Sequence, residues 1–568
     1  ASASDNNLVL DISTIQLLVA DCALHLFLSK NNTHINANTN LLLGFLVNEL
    51  SIGEYDCLIS ELIDDTDSAI SFCKENPLLF NMEYIYEADE DILGLIYISC
   101  KNIGNRKATG SYYTSTKVVK NLISRLSFQE PVKVLDPCCG TGNFLLQLPD
   151  VLPFDSIYGN DIDAASVKIT RLNMALKYNV PVAAIYEHIT GQDYLTDYAE
   201  KDFQYIIGNP PWGYDFSEEE KSHLRTIYKS ATGKNIESYD VFIEQALNHL
   251  TDNGHLAYVL PEAILNVKAH TNIRKTILEN CSIKNLVFLG NAFDGVQCPC
   301  IILDLQCTRS PLSTVGMNVN TGTVSFTINI ERTVSAEYFS FTTSDAEYNV
   351  LCKIRSMPNS AYLLDNADFA LGIVTGNNKE YISDIKNENN EMILKGADIC
   401  KYHITRTNNY IVFKPENFQQ AAPTEMYRSP EKLLYRFISS QLVFAYDDKQ
   451  TLSLNSCNIV IPRIPGIKIK YVLAILNSRI AQFIYKKEFN SVKVLRSHIE
   501  NIPIPTADAS TQAEIIALTD KLISGLQSDE AEKVYDELDL LVSKAFNLDS
   551  NEIEIINKAV EGDNKFLA

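Results

Sequence analysis

Apolar residues in the first hundred positions recur at helical spacing. Ile15, Val19, Cys22 and Leu26 lie four, three and four residues apart, along one face of an α-helix. Further apolar runs at 41–47 and 92–98 extend this into a helical region over 1–104. Val118, Val119, Leu122 and Leu126 continue the helical period just beyond it. The pattern then shortens. Apolar-rich runs at 131–135, 156–160, 183–186 and 203–207 are bounded by Gly, Pro, Asp or Asn and predict buried strands. A helical stretch at 240–250 precedes further strand-like runs at 254–260, 286–289 and 300–305. Strands alternating with helices predict an α/β fold of Rossmann-like type, built on a largely parallel sheet.

Downstream the chain changes character. Residues 312–341 are rich in Thr, Val and Ser at alternating spacing and predict strands joining two domains. Runs at 433–437 and 442–446 interleave aromatic residues with a base in predicted strands, and a helix is expected from 474 to 487. The residues from 510 onward predict acidic helices that close the structure or dock a partner. The expected division is a helical N-terminal region over 1–104, an α/β domain over 105–310 and connecting strands over 311–350. An α+β domain over 351–505 and acidic helices over 506–568 complete it.

At 568 residues the chain exceeds one core, so two to four domains are expected. No uninterrupted apolar run approaches the roughly 18 residues of a membrane span. Asp11, Gln16, Asp21 and His25 interrupt the first apolar stretch, against a secretory signal. Thirteen cysteines without a paired framework suggest reduced thiols, no metal site and a cytoplasmic setting. The net charge of −23 is unevenly spread. Residues 1–100 hold 16 acidic and 2 basic side chains, and residues 506–568 hold 14 and 5. Residues 353–500 hold 20 Lys and Arg against 14 Asp and Glu, a surplus of 6 that suits a phosphate-bearing partner. A fused metal-dependent nuclease at the N-terminus is not expected, since neither Lys30 nor Lys74 has an acid two residues before it.

Four segments carry candidate chemistry. Thr109-Gly110-Ser111-Tyr112-Tyr113-Thr114 precedes a helix, where free backbone N–H groups can meet a carboxylate. Asp136-Pro137-Cys138-Cys139-Gly140-Thr141-Gly142-Asn143-Phe144 is a glycine-bearing turn after a strand. Asp136 would repel a pyrophosphate and attract an ammonium, which favours a ligand with an amino-acid moiety. Asp161, ending the next strand, is placed to accept from ribose hydroxyls. In Gly191-Gln192-Asp193-Tyr194 the acid suits an adenine amino group, with Tyr194 covering the ring. Together these fit S-adenosylmethionine. The fourth segment, Asn209-Pro210-Pro211-Trp212, ends the 203–207 strand and contains the only tryptophan. Its Asn209 amide and Pro210 carbonyl suit the hydrogens of an exocyclic base amine, with Trp212 as a stacking surface.

In this order the four segments resemble the TaqI-like adenine-specific DNA methyltransferases. The resemblance covers about 105–505 and implies a C-terminal target-recognition domain. It places Tyr113, Thr114, Asp136, Cys138, Gly140, Asn143, Asp161, Ile162, Asp193 and Tyr194 around S-adenosylmethionine. Asn209, Pro210, Pro211 and Trp212 would hold an adenine flipped from double-stranded DNA, with His270 near a second stacking position. Lys493 and Arg496 are candidate phosphate contacts. The family more often has tyrosine where this chain has Trp212. Amino methylation of cytosine uses the same carbonyls, though with Ser-Pro-Pro more often. A DNA-binding subunit of a defence complex, active only with a partner, is the alternative from another class. Methylation of a cytosine ring carbon is rejected, because neither Pro137-Cys138 nor Pro299-Cys300 is suitably placed and Glu-Asn-Val is absent. The expected location is a bacterial cytoplasm, at the nucleoid.

Overall fold

A computed structural model describes residues 11–33, 40–100, 113–128, 132–293, 297–405, 407–489 and 491–562. The Thr109 to Tyr112 segment lies outside the described residues. The chain divides into two compact units, residues 1–341 and 342–568.

The first unit is organised by a nine-stranded sheet. Its strands are β1 (Val134–Asp136), β2 (Ile157–Asn160), β3 (Ile189–Thr190), β4 (Phe203–Gly208) and β5 (Leu250–Pro261). β6 (Cys281–Gly290), β7 (Cys300–Cys307), β8 (Met317–Asn320) and β9 (Ser325–Ile328) follow. They lie in the order β3-β2-β1-β4-β5-β7-β6-β8-β9. β1 to β5 run parallel, with Asp136 beside Gly159 and Leu135 beside Ile206. β7 is inserted antiparallel between β5 and β6, and β9 runs antiparallel to β8 at the edge. Val134, Leu135, Ile206 and Ile207 are fully buried, as expected of a parallel sheet covered on both faces.

Two predicted strand regions differ. Residues 183–186 lie within a helix, Val182–His188, and only Ile189–Thr190 joins the sheet. Pro181 precedes the helix, two alanines favour it, and a four-residue apolar run does not separate helix from strand. Within 312–341, β8 and β9 do not bridge domains. They extend the same sheet, with Leu286 paired to Val319, and Met317 and Val319 are buried.

The N-terminal helices share this core. One apolar cluster runs from Ile15 through the sheet to Phe341. Helix Ile12–Lys30 is capped by Asp11 and buries residues around its whole circumference, including Asp21 and His25. Among the described residues it is the one helix with the length and apolarity to cross a membrane, and most of it is buried inside the fold. Asp91 ties this region to the glycine turn. Its Oδ1 accepts from the Gly94 N–H at 2.8 Å and from Asn173 Nδ2 at 2.7 Å, while Oδ2 accepts from the Thr141 hydroxyl at 2.5 Å. Burial raises its pKa to about 6. Tyr97 donates to Asp163, the N-cap of helix Ala164–Tyr178, at 3.0 Å.

In the second unit, Ala367–Ala370, Cys457–Pro462, Lys432–Arg436 and Phe444–Asp447 form an antiparallel sheet in that order. A second four-stranded sheet contains Glu391–Leu394 and Leu452–Ser453. The expected helix at 474–487 begins earlier and breaks at Ser478 into Ile469–Asn477 and Arg479–Ile484. Buried Lys432 and Asp447 pair at 2.5 Å, and Asp447 also takes the Thr451 N–H and hydroxyl. The acidic C-terminal helices turn Leu518, Leu522, Tyr535, Leu538 and Val542 into the same core as Ile475. They close this unit.

The Asp91 junction has no slack. A Cβ at position 94 would overlap Asp91 Oδ2 and Thr141 Oγ1. Gly94→Ala is expected to destabilise the first unit by about 1–3 kcal/mol, read as a lowered urea midpoint. An unchanged midpoint would show that the junction yields freely.

Candidate active site

Because β1, β2, β3 and β4 are parallel, their carboxyl ends meet along one edge. Asp136 ends β1 fully buried. Its Oδ1 accepts from the Cys138 N–H at 3.2 Å, and its Oδ2 has no hydrogen-bond partner among the described residues. Burial raises its pKa to about 8, assisted by the negative charge of Asp161. Gly208 ends β4 alongside it at φ +144°, and a Cβ there would stand 2.6 Å from Asp136 Oδ1. Only glycine lets the two strand ends approach this closely.

The glycine turn is braced from behind. Gly140, at φ +53°, donates its N–H to Asp161 Oδ2 at 2.8 Å, and Asp163 donates to Oδ1 at the same distance. Carboxylate oxygens hold more than one lone pair, so Asp161 retains acceptor capacity for a ligand hydroxyl. Thr170 donates to the Gly140 carbonyl at 2.7 Å. Beside Asp161, Ile162 exposes 72% of its surface as an apolar face. Asp193 is half-buried and accepts from the Leu195 N–H at 2.9 Å. Cys138 is half-buried at the turn. Asn160, which sequence reasoning missed, accepts from the Thr190 hydroxyl and Gln192 N–H and donates to the Gln192 carbonyl, joining the ends of β2 and β3. A buried amide among strand residues gives no periodic signal.

The Asn-Pro-Pro-Trp turn leaves the end of β4. Asn209 Nδ2 donates to Thr114 Oγ1 at 3.0 Å, while Asn209 Oδ1 is buried without a partner among the described residues. Tyr113 stands half-buried just before Thr114. Thr114 also accepts, through its carbonyl, from Asn143 Nδ2 at 2.7 Å. Pro210 is buried, and the Pro211 carbonyl accepts from the Ser238 hydroxyl at 2.5 Å. Ser238 is fully buried at the start of helix Ser238–His249 and fixes the turn. The Trp212 ring meets Phe293 edge to face, 4.9 Å between centroids at 84°.

Three expectations are corrected or narrowed. Tyr194 is 2% exposed, with its ring among Tyr198, Phe242 and His249, so it belongs to the core and covers no open pocket. His270 is buried, with Nδ1 on Asp240 at 2.9 Å and Nε2 on the Tyr239 hydroxyl at 2.8 Å. Its ring stacks on Tyr239 and is only 2% exposed, so it offers no open face to a base. Among the described residues, Phe293 is an aromatic neighbour of Trp212. In the second unit, Lys493 is exposed, while Arg496 donates to Glu500 at 2.7 Å and lies 5.0 Å over Phe369. Arg496 and Phe369 line a cavity of about 520 Å³ with Gln420 and Met426. Among the described residues, no three His, Cys, Asp or Glu are grouped to hold a metal.

The family model for N-6 DNA methylases matches residues 88–332, and that for the TaqI-like C-terminal specificity domain matches residues 391–504. The chain is 28% identical over 330 residues to the type II methyltransferase M.VspI of Vibrio sp. (strain 343), covering 57% of this chain and 79% of that one. The chain is a TaqI-like N6-adenine DNA methyltransferase. It transfers the methyl group of S-adenosylmethionine to the exocyclic nitrogen of adenine in DNA. M.CvrRI of Paramecium bursaria Chlorella virus XZ-6E is 31% identical over 166 residues, covering 29% of this chain and 40% of that methyltransferase. The fold matches the solved structure of the type IIL restriction-modification enzyme MmeI in complex with DNA, with a TM-score of 0.58 and 12% identity. That match covers 98% of this chain and 96% of MmeI.

The unpaired Asp136 oxygen fits the methyl donor, whose amino-acid moiety carries an ammonium. Below about pH 8 the carboxyl is protonated and must release a proton to pair with that cation. Affinity for S-adenosylmethionine is therefore expected to rise with pH between about 6 and 7.5, before the ligand's own amine titrates. Calorimetry across that window checks it. Asp136→Asn should bind weakly and without the slope, and a pH-independent wild type would refute the linkage.

Proposed function

We propose that Asn209, Pro210, Pro211 and Trp212 receive an adenine flipped out of double-stranded DNA, and that the chain acts as the modification component of a restriction-modification system. The observation that carries this reading is the buried Asn209 Oδ1, without a partner among the described residues and next to the end of β1. An acceptor withheld from water is matched to a donor that arrives with a substrate.

S-adenosylmethionine, held by Asp136, the Gly140 turn, Asp161, Ile162 and Asp193, supplies an electrophilic methyl group. The adenine amine is a poor nucleophile because its lone pair is delocalised into the ring. Asn209 Oδ1 and the Pro210 carbonyl accept its two N–H hydrogens, which favours a pyramidal nitrogen with its lone pair aimed away from the acceptors. These oxygens are fixed before substrate arrives, so catalysis rests on orientation and electrostatic stabilisation. Trp212 offers the extruded base a stacking face, offsetting part of the few kcal/mol that extrusion costs. Phe293, set edge-on to Trp212, limits where that base can lie.

The second unit, with its match to the TaqI-like specificity domain and a surplus of basic residues confined to 353–500, reads the flanking sequence. The relatives named type II methyltransferases support the restriction-modification setting. A 26% identity over 216 residues to the EcoEI type I methylase subunit of Escherichia coli favours a second reading, activity within a multi-subunit assembly. Either setting places the enzyme with DNA in the cytoplasm.

Incubation with labelled S-adenosylmethionine and unmethylated genomic DNA should place label in N6-methyladenine. Asn209→Ala should lower turnover about 10²–10³-fold while binding the methyl donor normally. Label in N4-methylcytosine, or full activity in the variant, would sink the assignment. For Lys493→Ala, DNA affinity should fall and the slope of log affinity against log salt should lessen by about 1, and an unchanged slope removes Lys493 from the phosphate contacts.

A further inference from the structure

Thr114 sits where the cofactor turn and the catalytic turn converge. Its hydroxyl is 3.0 Å from Asn209 Nδ2, and its carbonyl takes the Asn143 Nδ2 hydrogen at 2.7 Å. Thr114 is 6% exposed, as is Asn143, which opens the short helix Asn143–Leu146 after Gly142. One residue thus engages two side-chain amides, one from the glycine turn and one from the Asn-Pro-Pro-Trp turn. The Asn143 contact fixes the backbone of Thr114, and the hydroxyl then fixes the plane of the Asn209 amide.

We propose that Thr114 is a positioning residue for methyl transfer, holding the Asn209 amide so that Oδ1 faces the adenine amine. This rests on the reading of Asn209 as the acceptor. An amide can rotate to present either its oxygen or its NH₂, and a rotated Asn209 would set two donors against the donors of the substrate amine. A hydroxyl both accepts and donates. In the structure the Thr114 hydroxyl takes the Nδ2 hydrogen, which leaves Oδ1 as the group available to an incoming amine. Asn209 Oδ1 makes no other contact that would hold it, being without a partner among the described residues. Because the tether from Asn143 runs through the Thr114 backbone, the cofactor turn and the acceptor are kept in one register.

The test compares Thr114→Val, which keeps the shape and removes the hydroxyl, with Thr114→Ser, which keeps the hydroxyl. Turnover and the KM for S-adenosylmethionine are measured on unmethylated genomic DNA, with melting temperature and quenching of the single tryptophan as checks of folding and cofactor binding. Thr114→Val should lower kcat by roughly 10- to 100-fold with the cofactor KM within about twofold, and Thr114→Ser should recover most of the loss. In an Asn209→Ala background the Thr114→Val factor should disappear, since the hydroxyl then has no amide to orient. If Thr114→Val does not fold, Thr114→Ala carries the same expectation. The proposal is overturned if the loss falls on the cofactor KM alone, if Thr114→Ser is as slow as Thr114→Val, or if the factor persists without Asn209. Full activity of Asn209→Ala by itself would instead remove the acceptor reading on which the proposal stands.

Discussion

The close approach of the β1 and β4 carboxyl ends is the constraint on which the site depends. Gly208 stands where any side chain would press on Asp136, with a Cβ 2.6 Å from its carboxylate. The acid suited to the methyl donor's ammonium and the turn suited to the target base are therefore neighbours in the sheet. Parallel pairing of β1 with β4 sets both at the same edge, and the proline pair stiffens the chain as soon as it leaves β4. A β-carbon at this point would separate the two halves of the chemistry.

The surrounding structure holds this edge from three sides. Asp161 takes two backbone N–H groups of the turns around it, Asn160 joins β2 to β3, and Ser238 pins the Pro211 carbonyl. Asp91 adds a fourth hold from the N-terminal helices, through Thr141 of the glycine turn itself. Those helices share one core with the sheet, so their packing bears on the geometry of the glycine turn. Asp91 is buried with three donors on its two oxygens, an arrangement that loses much of its stability if any one partner is removed.

The order of acids, glycines and the Asn-Pro-Pro-Trp turn was legible because each sits where a strand ends, and strand ends are marked by a change from apolar to polar residues. Side-chain roles set by distant contacts were not. Tyr194 follows Asp193 in sequence, yet its neighbours are Phe242 and His249 from a later helix, and these draw it into the core. His270 lies in a suggestive place along the chain, but Asp240 and Tyr239 occupy both its nitrogens. Phe293 and Ser238 gave no signal, since a lone phenylalanine or serine has no periodicity and their contacts to the Asn-Pro-Pro-Trp turn close over 81 and 27 residues. The strand expected at 183–186 failed for a local reason: two alanines after a proline favour a helix, and four apolar residues carry no usable period.

Buried polar atoms without partners are not in themselves a mark of function, because Gln16 Oε1 and the Tyr178 hydroxyl share that condition far along the chain from the motif segments. Asp136 Oδ2 and Asn209 Oδ1 differ in kind and in place. Both lie at the carboxyl ends of adjacent parallel strands, with Gly208 against Asp136 and directly before Asn209. Each costs folding free energy of the order of 1–3 kcal/mol while nothing donates to it. Asp136 reduces that cost by holding a proton, as its raised pKa records, whereas an amide oxygen has no proton to gain. The Asn209 oxygen therefore remains an acceptor at every pH. A fold that keeps it dry, with its Nδ2 committed to Thr114, has its acceptor aligned before any base arrives, and that prior alignment is what a reaction without a covalent intermediate requires of its protein.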